Sequence, residues 1–297
     1  MSTKRIGLVL VAATLVLAAC GRFNDEGGST GASGGATGPS GIEHPTGADD
    51  LVLRVEYQGG FVPYEFMLKR VPAWSLYGDG TVIVEGPVIE IYPGPALPNL
   101  LAFSITEEGI QAILEAAQEA GLMDGDATYG YPCIADAADT VFTTNAGGST
   151  SVVSAYALEF ADPALSTGGD CPDVDTQARA KLAEFQRMLG DLRSWLPGPI
   201  GPEEPYTPTE MRTYVLPYRG QDDLQQSPIE WPLSQPLVAF GDPVPDGNDI
   251  RCGVVSGDDL AELLPLAEQA NELTPWTSGG EEYQLIFRPL LPDEHGC

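Results

Sequence analysis

Few residues in this chain have the chemistry for catalysis or metal binding, and their spacing limits what they can do. The only histidines are His44, in a Gly-, Ser- and Thr-rich stretch, and His295, in the terminal Asp-Glu-His-Gly-Cys. Either could ligate a metal or act as a base, but a histidine in such a tether or tail is more often inert, so a serine hydrolase with a histidine base finds no support. No Gly-Lys pair closes a phosphate-cradling loop, so nucleotide binding has none either. Two acidic loops could hold calcium weakly. Asp124-Gly125-Asp126-Ala127-Thr128 opens with EF-hand spacing, but Tyr129 replaces the glycine needed at position six and Ala135 the bidentate acid at twelve. Asp242, Asp246 and Asp249, with Asn248, sit among glycine and prolines and could form an irregular loop for Ca2+, the one cofactor these residues point to. A carboxylate pair working as glycosidase acid and base needs no histidine, and 43 acidic residues supply candidates without marking two of them. Trp74, Trp195, Trp231 and Trp276 could line a sugar groove, although tryptophans at strand and helix positions belong to cores more often.

Lys and Arg number 14 against those 43 acids, a formal net charge of -29. A surface so anionic repels nucleic acid and anionic lipid head groups, which excludes DNA and RNA as partners and argues against direct head-group docking.

The opening residues read as a secretory leader. Lys4 and Arg5 precede an apolar run, Ile6 to Val16, and then Leu17-Ala18-Ala19-Cys20. The run is too short for a permanent membrane span. Leu-Ala-Ala-Cys behind such a run resembles the lipobox of bacterial lipoproteins. The resemblance covers about twenty residues and implies cleavage before Cys20, a diacylglyceryl group on its thiol, and anchoring to the outer face of the bacterial cell membrane. Gly21 lacks the aspartate that resembles an inner-membrane retention signal, so in a diderm host the expected place is the outer membrane.

An exported chain with Cys133, Cys171, Cys252 and Cys297 beyond the anchor is expected to form two disulfides. Three pairings are open; Cys133 with Cys171 and Cys252 with Cys297 are favoured, each closing a loop worth roughly 3 to 4 kcal/mol in the loop-entropy model. No CxxC pair occurs, which disfavours zinc.

The elements that must position these residues follow from periodicity. Residues 1–19 are the signal peptide, and residues 20–48 are the lipid anchor and a flexible tether too poor in large apolar residues to fold. Residues 49–196 make a first lobe, with strands at Leu51 to Tyr57 and Tyr64 to Leu68 and a hairpin from Trp74 to Val84. A helix at Glu107 to Ala120 is capped by Thr106 and ended by Gly121. A hairpin from Thr140 to Ala155 follows, then a helix from Asp175 to Leu196 with an apolar stripe that begins at Ala178. The Pro-rich stretch 197–208 is the linker. Residues 209–297 make a smaller lobe with strands at Thr213 to Tyr218, Leu237 to Phe240 and Tyr283 to Arg288. Its helix starts at Ser256, which with Asp259 has capping-box spacing, and Pro265 should kink or shorten it. The expected fold is α+β: two loosely repeated lobes of antiparallel strands, each packed by a helix and stapled by disulfides. The expected function is non-enzymatic binding or scaffolding of a protein or glycan partner in the envelope, with a histidine-independent glycan hydrolase as the alternative.

Overall fold

The alternation of Leu51, Leu53, Val55 and Tyr57 becomes β1 (Leu51–Gly59) in a computed structural model that describes residues 41–161, 171–172, 174–220, 223–245 and 249–297. After β1 come α1 (Tyr64–Lys69), β2 (Trp74–Tyr77), β3 (Thr81–Glu85), β4 (Leu100–Ser104), α2 (Glu107–Glu119), β5 (Ala127–Tyr129), β6 (Ala138–Ala146), β7 (Ser149–Tyr156) and α3 (Thr176–Leu189). The chain continues through β8 (Glu204–Pro205), β9 (Glu210–Pro217), β10 (Ile229–Glu230), β11 (Asp242–Pro243), β12 (Arg251–Ser256), α4 (Gly257–Gln269), β13 (Pro275–Ser278) and β14 (Glu281–Pro289). The strands form an eight-stranded sheet, ordered β5-β7-β6-β1-β2-β3-β4-β8, and a six-stranded sheet, ordered β10-β13-β14-β9-β12-β11. Pairing is antiparallel except for β5 with β7 and β10 with β13. The fold is therefore α+β, as the periodicity predicts. Both sheets place their first long strand inside, β1 and β9, yet the hairpins that flank it are connected in opposite order, so the likeness of the lobes is loose. All four edge strands are two or three residues long, which denies a neighbouring chain a template for pairing.

Helices α2 and α3 cover one face of the larger sheet. Thr106 accepts the Gly109 N–H at 3.4 Å and caps α2, with Glu107 and Glu108 at its positive end. Gly121, at φ +86°, ends it, and the Leu122 N–H reaches back to the Ala117 carbonyl at 2.9 Å. Ile110, Ile113 and Leu114 of α2 and Leu182 and Phe185 of α3 bury against Leu53, Val55, Leu76 and Phe142. Helix α4 packs on the smaller sheet, where Leu260, Leu263 and Ala267 meet Val215, Trp276 and Phe287.

Several elements differ from expectation. Tyr64 to Leu68 is helix α1 rather than a strand. Pro63 precedes it with a helix-compatible φ of −54°, and Leu68 finds its burial against Tyr214, Leu216 and Ile286 of the smaller sheet. Leu237 to Phe240 is a single 3₁₀ turn, because Phe240 folds back edge-on to Trp231, whose indole N–H bonds the Gln235 carbonyl. The second long helix stops at Leu189, and a 3₁₀ turn carries the apolar stripe onward to Leu192 and Leu196. Ser256 ends β12 and makes no side-chain cap, and α4 runs through Pro265 to Gln269. The last residues of the expected tether belong to the folded body. Ile42 and Gln111 exchange hydrogen bonds of 2.7 and 3.0 Å, and the Glu43 carbonyl accepts the Gly147 N–H at 2.7 Å. Within the Pro-rich stretch, Glu204–Pro205 pairs with β4 as an edge strand.

Residues 41–297 form one compact unit. The C-terminal tail ties its two sheets together. Arg288 on β14 grips Glu294 with two bonds of 2.9 and 2.7 Å and donates a third to the Arg70 carbonyl at 2.8 Å. Arg54 on β1 reaches Asp293 at 2.7 Å, which also accepts the Tyr77 hydroxyl at 2.8 Å. Leu291 buries against Val71, Tyr77, Ile83 and Leu100 on the larger sheet. The Cys252–Cys297 disulfide fixes the far end of the tail, and Cys133–Cys171 closes the other expected bridge.

These contacts set how the fold responds to pH and to substitution. Burial pushes the Glu294 carboxyl up, but the bonds and charge of Arg288, the Leu291 N–H and Arg54 outweigh it and leave its pKa below the usual value. A depressed pKa stabilises the fold above the unfolded-state value and loses that contribution as pH falls through the folded one. In urea titrations Glu294→Gln should therefore be less stable than wild type at pH 7, with the gap closing below about pH 4. Arg288→Ala, which leaves the mostly buried Glu294 carboxylate only the Leu291 N–H and Arg54 at 3.9 Å, should cost about 3 kcal/mol. The hydroxyl of Thr213 in β9 is fully buried and has no hydrogen-bond partner among the described residues. Thr213→Val should raise the unfolding free energy by about 1 kcal/mol.

Candidate functional site

Most apolar side chains of this body are covered, but two neighbouring segments leave theirs in solvent. After β1, Gly59 and Gly60 turn the chain at φ +65° and +84°, and Phe61 emerges 87% exposed. Tyr64, Phe66 and Met67 of α1 are exposed as well, since only Leu68 of that helix is buried. The second segment is the connection between β3 and β4, whose Val88, Ile89, Ile91 and Tyr92 are between 58% and 73% exposed. Its neck is closed by the Gly86 N–H on the Asn99 carbonyl at 2.8 Å and by the Asn99 amide on the Pro87 carbonyl at 3.0 Å.

Glu272, between α4 and β13, joins the two segments. One carboxylate oxygen accepts the Gly94 N–H at 3.0 Å and the other meets the Lys69 ammonium at 3.5 Å. Its own N–H bonds the Gly94 carbonyl at 2.9 Å, and the Ala96 N–H bonds the Ala270 carbonyl at 3.1 Å. Between α1 and the returning loop lies a hollow of about 220 Å³ lined by Pro63, Phe66, Lys69, Pro95, Glu272 and Ile286. Lys69 and Arg70 each lie 5.5 Å from the centre of the Phe66 ring, and Arg70 also donates to the Tyr57 and Gly59 carbonyls. Two segments with exposed apolar side chains, together the crescent, thus flank a small mouth and are tied to each other through Glu272 and the backbone bonds beside it. The charged side chains that line the hollow are Glu65, Lys69 and Glu272.

A second hollow, of about 320 Å³, lies where α3 ends against the larger sheet and is bordered by Trp74, Glu85, Asp191, Arg193 and Glu203. Arg193 pairs with Glu203 at 3.7 Å. Partial burial pushes the Glu85 carboxyl up, against the opposing charge of Arg70. Trp74 is only 6% exposed, and its indole N–H is buried without a partner among the described residues. Trp231 and Trp276 are core, and the half-buried Trp195 bonds the Met188 carbonyl at 2.9 Å. Three of the four tryptophans, Trp74, Trp231 and Trp276, are thus buried.

The residues singled out in the sequence do not converge. Cys20 and Asp246 lie outside the described residues. Asp126 accepts the Val152 N–H at 2.8 Å, which ties the first acidic loop to β7. Asp242 sits in β11 opposite Cys252, and Asp249 turns the chain at φ +68°. Among the described residues no group of three His, Cys, Asp or Glu side chains could hold a metal ion. His44 is buried between the Pro45 carbonyl and Glu107, and His295 is exposed, 3.6 Å from Glu210. No helix among the described residues is long and apolar enough to cross a membrane. The two cystines fit an oxidising, extracytoplasmic setting. Known proteins offer no analogy: no family model, curated protein or solved structure matches the chain. The crescent escaped the sequence reading, although Val-Ile-Glu-Ile-Tyr between Pro87 and Pro93 is an apolar run with no partner run nearby.

Because these side chains touch solvent, the double variant Ile89→Ser, Ile91→Ser should unfold in urea within about 0.5 kcal/mol of wild type. Its retention on a phenyl-substituted hydrophobic matrix should fall clearly.

Proposed function

We propose that this chain is a lipid-anchored extracytoplasmic protein whose folded body binds or scaffolds another component of the cell envelope without catalysing a reaction. The exposed apolar crescent carries this reading. Exposed apolar side chains gathered on neighbouring segments mark interaction sites, and here two such segments are tied to one carboxylate. The lipobox-like Leu17-Ala18-Ala19-Cys20 supplies the anchor and the two cystines agree with export. Mass spectrometry of the native protein should find an amino terminus at Cys20 with an acylated thiol. Pull-down of the chain against envelope fractions should retain a protein or glycan component that the Ile89→Ser, Ile91→Ser variant releases. An unprocessed amino terminus would remove the anchor, and failure to retain any component would remove the binding role.

A second reading, a histidine-independent glycan hydrolase, draws on the raised Glu85 and on Glu203 in the hollow beside Trp74. It ranks lower because Trp74, though it borders the hollow, is only 6% exposed. Glycan hydrolysis abolished by Glu85→Gln would reverse that order.

A further inference from the structure

We infer that the crescent takes a cationic polypeptide segment in which basic residues alternate with aliphatic anchors; this rests on the binding role proposed above. Local charge is the first argument. The cations beside the crescent are engaged: Lys69 faces Glu272, and Arg70 donates to the Tyr57 and Gly59 carbonyls while covering Phe66. The anions within it, Glu65 on α1 and Glu90 at the loop tip, have no basic partner among the described residues. With Arg70 counted against them, Glu65 and Glu90 still leave the crescent net negative within a chain of formal net charge -29, and basic residues set among apolar ones complement it.

The same charge argues against other occupants. A second copy of this chain would bring another body with a net charge of -29 against the first. An anionic membrane surface or a nucleic acid would be repelled likewise. Size is the second argument. A hollow of about 220 Å³ lies below the range of sites that enclose a small molecule, and it suits one anchoring side chain of a larger partner.

The test uses the full chain and a short synthetic peptide alternating lysine and valine, with binding read by fluorescence anisotropy. Peptides alternating lysine with serine and glutamate with valine are the controls. The Lys/Val peptide should bind saturably, more tightly than either control, and more weakly as salt rises. Ile89→Ser, Ile91→Ser should weaken it by about tenfold or more without changing any charge. Glu65→Gln, Glu90→Gln should weaken it severalfold and flatten the salt dependence. Equal binding by wild type and the serine variant would mean that bulk charge alone acts, and would overturn the inference. Tight binding of the Glu/Val peptide would do the same. So would phosphatidylglycerol-containing vesicles that sediment wild type but not the serine variant, or self-association of wild type that the serine variant loses. Should the peptide fail while pull-down still retains an envelope component, this inference falls and the binding role stands.

Discussion

Two arginines from two different sheets face two adjacent carboxylates on one turn of the tail, and the body is joined there. Arg54 comes from the middle of the larger sheet, Arg288 from the middle of the smaller, and Asp293 and Glu294 sit between them. Neither guanidinium can be deprotonated, so each needs its partner wherever water is excluded. Apolar contacts between the lobes come from Leu68 on one side, Leu291 on the other, and Ala96 and Leu97 of the connection between β3 and β4. The arginine clamp gives those contacts a register, and the disulfide at Cys297 keeps the carboxylates near it. The tail is also held by Arg212, which donates to the Gly296 carbonyl at 2.7 Å.

The crescent inherits its shape from this junction. Helix α1 leaves the larger sheet but lies on β14 of the smaller, and the loop between β3 and β4 returns across Asn271 and Glu272 of the smaller lobe. Both exposed segments therefore depend on contacts with the other lobe. Their placing rests on the same junction that the Arg288–Glu294 pair helps to hold.

What could be read in the residues was what local periodicity controls. The long strands β1, β6, β7 and β14, the capped helix α2 and both cystine pairs follow from alternation, capping spacing and loop length. Local rules failed where distant contacts decide. Tyr64 to Leu68 has too few residues for periodicity to separate helix from strand, and the deciding contact lies on β9 and β14. Arg179 is buried in α3, next to the Ala178 expected to lead its stripe, because its guanidinium bonds the Tyr156 and Ala157 carbonyls at 2.8 Å each. No hydrophobic pattern can announce a buried cation. The crescent was hidden for the opposite reason, since an apolar run reads as core until the fold leaves it uncovered.

The chain enters the body at Ile42, where the exchanged bonds with Gln111 and the Glu43 carbonyl on Gly147 hold the strap before β1 begins. A pull applied ahead of that point meets these few bonds and the buried His44 before it reaches the seven-residue register between β1 and β6. Those bonds, and not the sheet, are the first that such a pull would load.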